Sequence, residues 1–214
     1  MKDIIKILMV FCCTIFTMSP AHAQDDLPSV FDPDNPEDQR LYNQYIDNMI
    51  RDLYVYLTEM TKLNGNSHYD RVRAKNNALK LFVNNGNEVH LSTRLTRSAL
   101  VYTTSKRRKE SRPSAVKDYF DTQIYLREHT YTNGIIIEII GDIAISKIEK
   151  VGKGEYRCTA TYMQGYRGWK KDKTRKYDDK TVKSIEVWIR PNDPVNKVKL
   201  FDIIAKETYP YDTE

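Results

Sequence analysis

Apolar residues recur at helical spacing through the first third of the chain. The steps between them alternate between four and three residues, in the set Tyr42, Ile46, Met49, Leu53, Tyr56, Met60 and Leu63. Since such steps return to the same side of an α-helix, the pattern predicts one long amphipathic helix with a single buried stripe. Asn35 suits the N-cap and Pro36 the first helical position, while Asn64-Gly65 is a typical stop.

Two shorter helices are predicted further along. Ser67 and Asp70 have the spacing of a capping box, and the helix they begin should stop at Asn84-Asn85-Gly86. Because the link to the first helix is short, the two should pack antiparallel. Pro113 is expected to open a third helix that runs from Ser114 to about Glu128.

Short strands and basic loops are expected between and after these helices. Glu88–Ser92 alternates weakly and predicts a short strand, whereas Ala99–Tyr102 fits either a strand or a helical turn. Lys106–Lys109 is strongly basic and is expected to be loop.

From Asn133 onward the hydrophobic period changes from helical to two, which is typical of strands. The predicted strands are Ile135–Ile140, Ile143–Val151, Glu155–Tyr166, Thr181–Arg190 and Lys197–Glu207. Gly141 marks a bulge or bend, Gly152-Lys153-Gly154 a hairpin turn, and Trp169–Lys180 a charged loop. Helices followed by a meander of long strands indicate an α+β fold, with three helices packed on one face of a curved antiparallel sheet.

The start of the chain has the three parts of a secretory signal peptide. Lys2 and Lys6 precede a short apolar run, and Ala21-His22-Ala23 forms an A-x-A ending. The run is shorter than the ~20 residues that span a bilayer, so no transmembrane segment is expected after cleavage. The prediction is residues 1–23 as signal peptide, 24–35 as a flexible segment that docks through Phe31, and 36–214 as one domain, periplasmic or secreted.

The net charge and the cysteines limit which partners and which disulfide bonds are expected. The formal net charge is +5 over 214 residues, which is too mild to indicate nucleic acid as the partner. Cys12 and Cys13 lie in the signal peptide, and the bulky Phe11 before them argues against a lipid anchor. Cys158 is then left without an intramolecular partner, so it should be a small buried hydrophobe on a strand; pairing with another protein is the alternative.

Catalytic and metal-binding motifs are missing from the sequence. His68, His90 and His129 have none of the spacings that bring two metal ligands together. There is no G-x-S-x-G elbow and no phosphate-binding glycine loop, and Cys158 lies on a predicted strand without a feature that would lower its pKa. We therefore predict no metal, no cofactor and no catalytic residue.

Two groups of residues are candidates for binding a ligand. The chain has fifteen tyrosines, whose ring and hydroxyl suit a half-polar pocket, and we select Tyr45, Tyr56 and Tyr162. The alternative for all three is ordinary core packing. The second group is the basic and aromatic stretch at Trp169, Lys170 and Lys171, which would contact an anionic envelope ligand unless it is simply a solvated loop.

The order of elements resembles the NTF2-like fold, the family of cone-shaped proteins that includes ketosteroid isomerase and SnoaL-type proteins. The resemblance is carried by the long helix Pro36–Leu63, the third helix and the strands after Gly134. Tyr177-Asp178-Asp179-Lys180-Thr181 before a hydrophobic strand is similar to exported proteins of Bacteroidetes. The resemblance implies a pocket between the sheet and the first helix, which in the family's enzymes holds an acid or base beside a hydrogen-bond donor.

These observations favour an exported, non-catalytic binding module whose partner is an envelope ligand or protein. A small pocket enzyme of the isomerase or hydratase type is the alternative, and an envelope assembly component is a third. The enzyme requires an ionisable residue buried in a cavity, with a shifted pKa and a hydrogen-bond partner. The assembly component requires a large exposed apolar patch.

Overall fold

The structure is a computed structural model that describes residues 27–62, 67–105, 108–172 and 174–211. Within them lie three α-helices, α1 (Pro36–Thr61), α2 (His68–Leu79) and α3 (Val116–Tyr125). The strands are β1 (Val89–Ser92), β2 (Leu95–Arg97), β3 (Leu100–Ser105), β4 (Arg108–Ala115), β5 (Ile135–Ile145), β6 (Glu149–Gly152), β7 (Glu155–Trp169), β8 (Arg175–Ile189) and β9 (Val198–Pro210). The predicted signal peptide and the predicted stop of the first helix fall outside the described residues.

Helix α1 forms as its sequence predicts. The Asn35 side-chain oxygen accepts a hydrogen bond of 3.0 Å from the backbone N–H of Glu37, which satisfies one of the unpaired donors of the first turn. The described part of the predicted stripe, Tyr42 to Met60, is buried except for Tyr56, which is half-buried. The buried face is wider than predicted, since it also contains Ile50, Tyr54 and Leu57.

Helix α2 begins with the predicted capping box of Ser67 and Asp70. It ends at Leu79, earlier than predicted, and the chain continues into a short 3-10 turn. Asn84 and Asn85 have positive φ angles of 49° and 52°, a left-handed conformation that asparagine tolerates better than most residues. Phe82, which follows α2, is fully buried and packs edge-on against Phe120 of α3. Helices α2 and α3 therefore share one core.

The prediction that Pro113 opens the third helix is wrong, as is the assignment of all of Lys106–Lys109 to a loop. Arg108–Ala115 is a strand that pairs antiparallel with β3, and α3 starts only at Val116. Pro113 is tolerated there because β4 is an edge strand, where a missing backbone N–H costs no ladder bond on the open side. After α3, residues Leu126–Thr130 form a single wider π-type turn.

The main sheet has seven strands in the order β4-β3-β9-β8-β7-β5, with β6 paired to β7. All described pairings between named strands are antiparallel except β3 with β9, which pair in parallel at Val101 and Ile203; an isolated parallel bridge also joins Phe82 to Leu200 of β9. The predicted irregularity at Gly141 is confirmed: its φ is +76° and the register of β5 against β7 shifts between Ile140 and Ala144. A long strand bent at such a point can curve around the helices.

The charged loop predicted for Trp169–Lys180 is much shorter than expected. Strand β8 begins at Arg175, and pairs such as Arg167 with Asp178 extend the ladder with β7 almost to the turn. The many charged residues of this stretch hid the strand, because a run of charges is typical of a solvated loop.

Lys170 and Lys171 are exposed in this turn. We expect Lys170→Gln with Lys171→Gln to change the free energy of unfolding by less than about 0.5 kcal/mol, because solvated charges contribute little to stability. Urea denaturation of the double variant measures this. A loss of several kcal/mol would mean that the turn belongs to a buried network.

The described part of the N-terminal segment lies against the domain. Leu27 and Phe31 are buried, and the Phe31 ring packs edge-on against Tyr42 and Tyr156. The ammonium of Lys197 donates a hydrogen bond of 2.8 Å to the Leu27 carbonyl. One aromatic side chain and a few carbonyl acceptors therefore anchor a stretch whose composition is mostly polar.

Together these elements confirm the predicted fold class, an α+β protein with three helices packed on a curved, largely antiparallel sheet. One core, to which the inner rows of β7, β8 and β9 contribute, lies between the helices and the sheet. In the part of the chain that is described, no helix is both long enough and apolar enough to cross a membrane.

Candidate functional site

A cavity of about 270 Å³ lies between α3 and the sheet. Strands β3, β4, β7 and β8 and the turn after α3 complete its walls. The lining is mostly hydroxyl, amide and phenol groups: Thr103, Thr104, Ser105, Ser114, Tyr119, Thr122, Gln123, Leu126, Tyr131, Gln164, Tyr166, Tyr177, Asp179, Thr181 and Lys183. The cavity is thus half-polar, with aromatic walls.

The polar lining of β8 continues the row that forms the core. Ile185, Val187 and Ile189 point inward, and side chains two residues apart share a face of a strand. Tyr177, Asp179, Thr181 and Lys183 have the same parity and line the cavity. Gln164 and Tyr166 extend the inner row of β7 in the same way. At this end of the sheet the inward face changes from apolar to polar while its spacing stays the same.

Lys183 is the most unusual member of the lining. Only 3% of it is exposed, and its ammonium donates one hydrogen bond of 3.2 Å to the Tyr102 carbonyl. Among the described residues, β3 and β9 form a single ladder pair, Val101 with Ile203, and the neighbouring Tyr102 carbonyl accepts from this side chain instead. Burial lowers the pKa of Lys183 to about 8, since removing water disfavours the ammonium form.

Two glutamines present their amides to the cavity in a fixed orientation. The Tyr54 hydroxyl donates to Gln164 Oε1 at 3.0 Å, and the Tyr166 hydroxyl donates to Gln123 Oε1 at 3.3 Å. Burial raises the pKa of both tyrosines well above the ordinary value, so the hydroxyls stay protonated and act as donors. With their carbonyl oxygens engaged, the glutamines have their NH2 groups to offer to a ligand.

A row of threonine hydroxyls runs from β3 across β9 to β8. Thr104 Oγ1 is 2.6 Å from Thr208 Oγ1, which is 3.1 Å from Thr181 Oγ1. Thr104 and Thr181 line the cavity, while Thr208 bridges them from β9. The row therefore joins β3, β9 and β8 beside the cavity by hydrogen bonds between side chains.

The cavity lies below the third helix, whereas the family resemblance implied a pocket below the first. An open groove of about 380 Å³ lies between α1 and β5, along Val55, Thr58 and Ile137. Further in, Leu53, Tyr54 and Leu57 fill the space against the sheet and leave a void of only about 10 Å³. The void is also bounded by Gln164 and Lys183, so these two side chains separate it from the larger cavity.

None of the six binding residues selected from the sequence is in the lining of the larger cavity. Tyr45 is buried on α1 and Tyr56 is half-buried there, so both belong to the packing of the helix. Tyr162 is the nearest to the site: it packs edge-on against Tyr54 and lines the small void behind the cavity. Trp169 is half-buried at the end of β7, next to the exposed Lys170 and Lys171.

Sequence reasoning missed Lys183, Gln164 and Gln123. The first two could have been found from strand parity, by extending the inner rows of β8 and β7 past their last apolar residue. A lysine in register with buried isoleucines is a signal of its own, because lysine is almost never fully buried without a partner. Gln123 had no such signal, since its helix was predicted with a different start.

Glu138, His68, His90 and His129 lie away from the cavity. Glu138 accepts hydrogen bonds from Arg167 at 2.6 Å and from Tyr211 at 2.9 Å. It therefore belongs to a small cluster of charged and polar side chains. His68, His90 and His129 are exposed. Among the residues described, no three His, Cys, Asp or Glu side chains form a group that could hold a metal ion.

Cys158 is buried on β7, as predicted. Burial raises the pKa of its thiol to about 12, so the reactive thiolate is disfavoured at neutral pH. The residue therefore acts as a small core side chain.

Comparison with known proteins adds little beyond the fold. No protein-family model matches the chain, and no curated protein is similar to it in sequence. A scytalone dehydratase-like protein of Novosphingobium aromaticivorans is similar in structure, with 14% identity, a TM-score of 0.43, and coverage of 83% of this chain and 93% of the other. The beta subunit of an aromatic-ring-hydroxylating dioxygenase-type protein of the same organism has 14% identity, a TM-score of 0.42, and coverage of 81% and 93%. At this identity and these TM-scores, neither likeness says anything about activity.

Proposed function

We propose that this protein is an exported, non-catalytic binding protein that holds a small molecule in the cavity between α3 and the sheet. The observation that carries the proposal is the cavity itself. A volume of about 270 Å³ is close to the lower end of the range found for ligand sites. Its aromatic walls and few convergent polar groups are the combination expected of such a site.

The rigidity of the surroundings supports binding. The glutamine amides are oriented by tyrosine hydroxyls, and the threonine hydroxyls of β3, β9 and β8 are hydrogen-bonded to one another. Groups that are held in place before a ligand arrives lose little conformational entropy when it binds. A solvent-filled gap left by poor packing would need none of these contacts.

Filling the cavity should abolish binding without unfolding the protein. Ser114 lies half-buried in the lining on β4, so Ser114→Trp would project an indole into the space. We expect the variant to bind at least about 10-fold more weakly, a loss of about 1.4 kcal/mol or more in binding free energy. Native mass spectrometry of the wild-type protein and the variant, purified from the same exporting host, measures the retained small molecule.

Ser111→Trp is the matched control, because Ser111 is exposed on the same strand. It should retain the ligand. Equal occupancy of wild-type and Ser114→Trp protein would contradict the proposal, as would a wild-type protein that retains no small molecule and binds none from a metabolite extract.

An enzyme remains the second candidate, and Lys183 is the specific observation in its favour. It is an ionisable group buried in the cavity, with a hydrogen-bond partner and a lowered pKa. An amine with a pKa near the working pH can transfer protons in an isomerisation or dehydration. Turnover of the retained small molecule by wild-type protein, lost in Lys183→Met, would favour this candidate over simple binding.

The assembly role has weaker support, because the exposed large apolar side chains of the described chain are distributed over several elements. Export is part of the proposal and rests on the signal-like N-terminus. The intact mass of the protein recovered from its host tests this directly. It should correspond to a chain that starts at Gln24, and an uncleaved chain retained in the cytoplasm would contradict export.

A further inference from the structure

Lys183 has an uncompensated charge inside the protein. Among the described residues, the hydrogen bond of its ammonium goes to a neutral carbonyl, that of Tyr102, and no ion pair is found. An ammonium has three N–H donors, so two remain for another acceptor. A buried charge without a counter-ion is costly, and a ligand that supplies the counter-ion gains what the protein alone lacks.

Two neighbouring glutamine side chains also offer hydrogen-bond donors. The carbonyl oxygens of Gln123 and Gln164 accept from Tyr166 and Tyr54, so both glutamines present NH2 donors. One ammonium and two amide NH2 groups make a set of donors, and such a set is complementary to an oxyanion.

The charge at the other end of the cavity fixes the direction of the ligand. Asp179 also lines the cavity, four residues before Lys183 on the same strand. At ~3.3 Å per residue the two Cα atoms are about 13 Å apart. An anionic group would therefore lie at the Lys183 end, and the uncharged part of the ligand would lie towards Tyr166 and Tyr177.

We infer that the cavity binds an organic carboxylate, with its oxygens on the Lys183 ammonium and the Gln164 amide and its uncharged body against the tyrosine rings. This rests on the proposed binding function and specifies its ligand class. Neither the two likenesses nor the sequence motifs indicate a carboxylate; the donor set of the cavity does.

The test compares benzoate with benzamide, a neutral molecule of nearly the same shape, by isothermal titration at pH 7. The wild-type protein should bind benzoate with a dissociation constant on the order of a millimolar and at least about 10-fold more tightly than benzamide. Lys183→Met should remove this preference. Lys206→Met, which removes an exposed lysine on the adjacent strand β9, should keep it.

The dependence on pH gives a second readout. Only the ammonium form of Lys183 attracts a carboxylate, and the pKa of this group in the free protein is about 8. Benzoate affinity should therefore fall by about 30-fold between pH 7 and pH 9.5 in the wild-type protein, and it should be flat in Lys183→Met. Asp179, Tyr119, Tyr131, Tyr166 and Tyr177 also face the cavity and are common to both proteins, so the difference isolates Lys183.

Three results would overturn the inference: equal binding of benzoate and benzamide, a preference that survives Lys183→Met, or no benzoate binding at about 20 mM, well above the expected dissociation constant. Binding of benzamide, or of a retained neutral molecule, that is sensitive to Ser114→Trp would leave the proposed function intact and reject only the carboxylate. If neither probe binds and no molecule is retained, both are rejected.

Discussion

Replacing Leu53 by aspartate is expected to abolish cooperative folding. Leu53 is 1% exposed, lies in the middle of α1, and faces the inner rows of the sheet. An aspartate there loses the packing of the leucine and brings in a charge with no partner, a combined cost of more than about 4 kcal/mol. Since small domains have only about 5–15 kcal/mol of stability in total, the variant should be largely unfolded or aggregated.

Val55→Asp is the matched control for this substitution. Val55 lies two residues further along the same helix and is 56% exposed. It should change the free energy of unfolding by less than about 0.5 kcal/mol. Circular dichroism and urea denaturation of both variants measure the difference, and a stable, native-like Leu53→Asp protein would show that α1 does not form the core.

Replacing Lys183 by methionine should make the protein more stable while it loses its proposed ligand. Lowering the pKa of Lys183 from 10.5 to about 8 corresponds to about 3 kcal/mol of destabilisation at neutral pH. Methionine has a similar length, carries no charge and adapts to irregular cavities. The midpoint of urea denaturation of the Lys183→Met variant at pH 7 should therefore be clearly higher than that of the wild-type protein. A less stable variant would mean that the ammonium has a favourable partner.

The difference in stability between Lys183→Met and the wild-type protein should depend on pH. Between the folded pKa and the unfolded pKa, the unfolded chain binds more protons at Lys183, so stability rises with pH. The destabilisation is complete below pH 8 and is relieved as the pH approaches 10.5. The advantage of Lys183→Met should narrow by about 2 kcal/mol between pH 7 and pH 9.5. A constant difference would show that Lys183 titrates normally.

The long elements were predictable because their hydrophobic spacing leaves little choice. The stripe of α1, the capping box of α2 and the break at Gly141 each depend on neighbouring residues alone, and each is found in the structure. The start of α3 was mispredicted because Pro113 is acceptable in two settings, the first turn of a helix and an edge strand. Which strand lies at an edge is a property of the whole sheet.

The site was less predictable because its residues come from five separate elements. Tyr45 and Tyr56 were selected as binding residues because the chain is rich in tyrosine. Both lie on α1 and pack with its apolar side chains. Lys183 was hidden because a lysine in an alternating strand is usually assigned to the water side. Its inward position follows only when the parity of Ile185 and Val187 is carried backward, and its surroundings are a property of the tertiary structure.

The anchoring of the N-terminal segment has a consequence for the order in which the protein is completed. The Leu27 carbonyl is held by Lys197, and the Phe31 carbonyl accepts a hydrogen bond from Tyr156. These contacts join residues that are translated early to Tyr156 and Lys197, and only Lys197 is translated near the end. The segment can dock only after almost the whole polypeptide has been made, so during synthesis it remains accessible to the machinery that handles nascent chains.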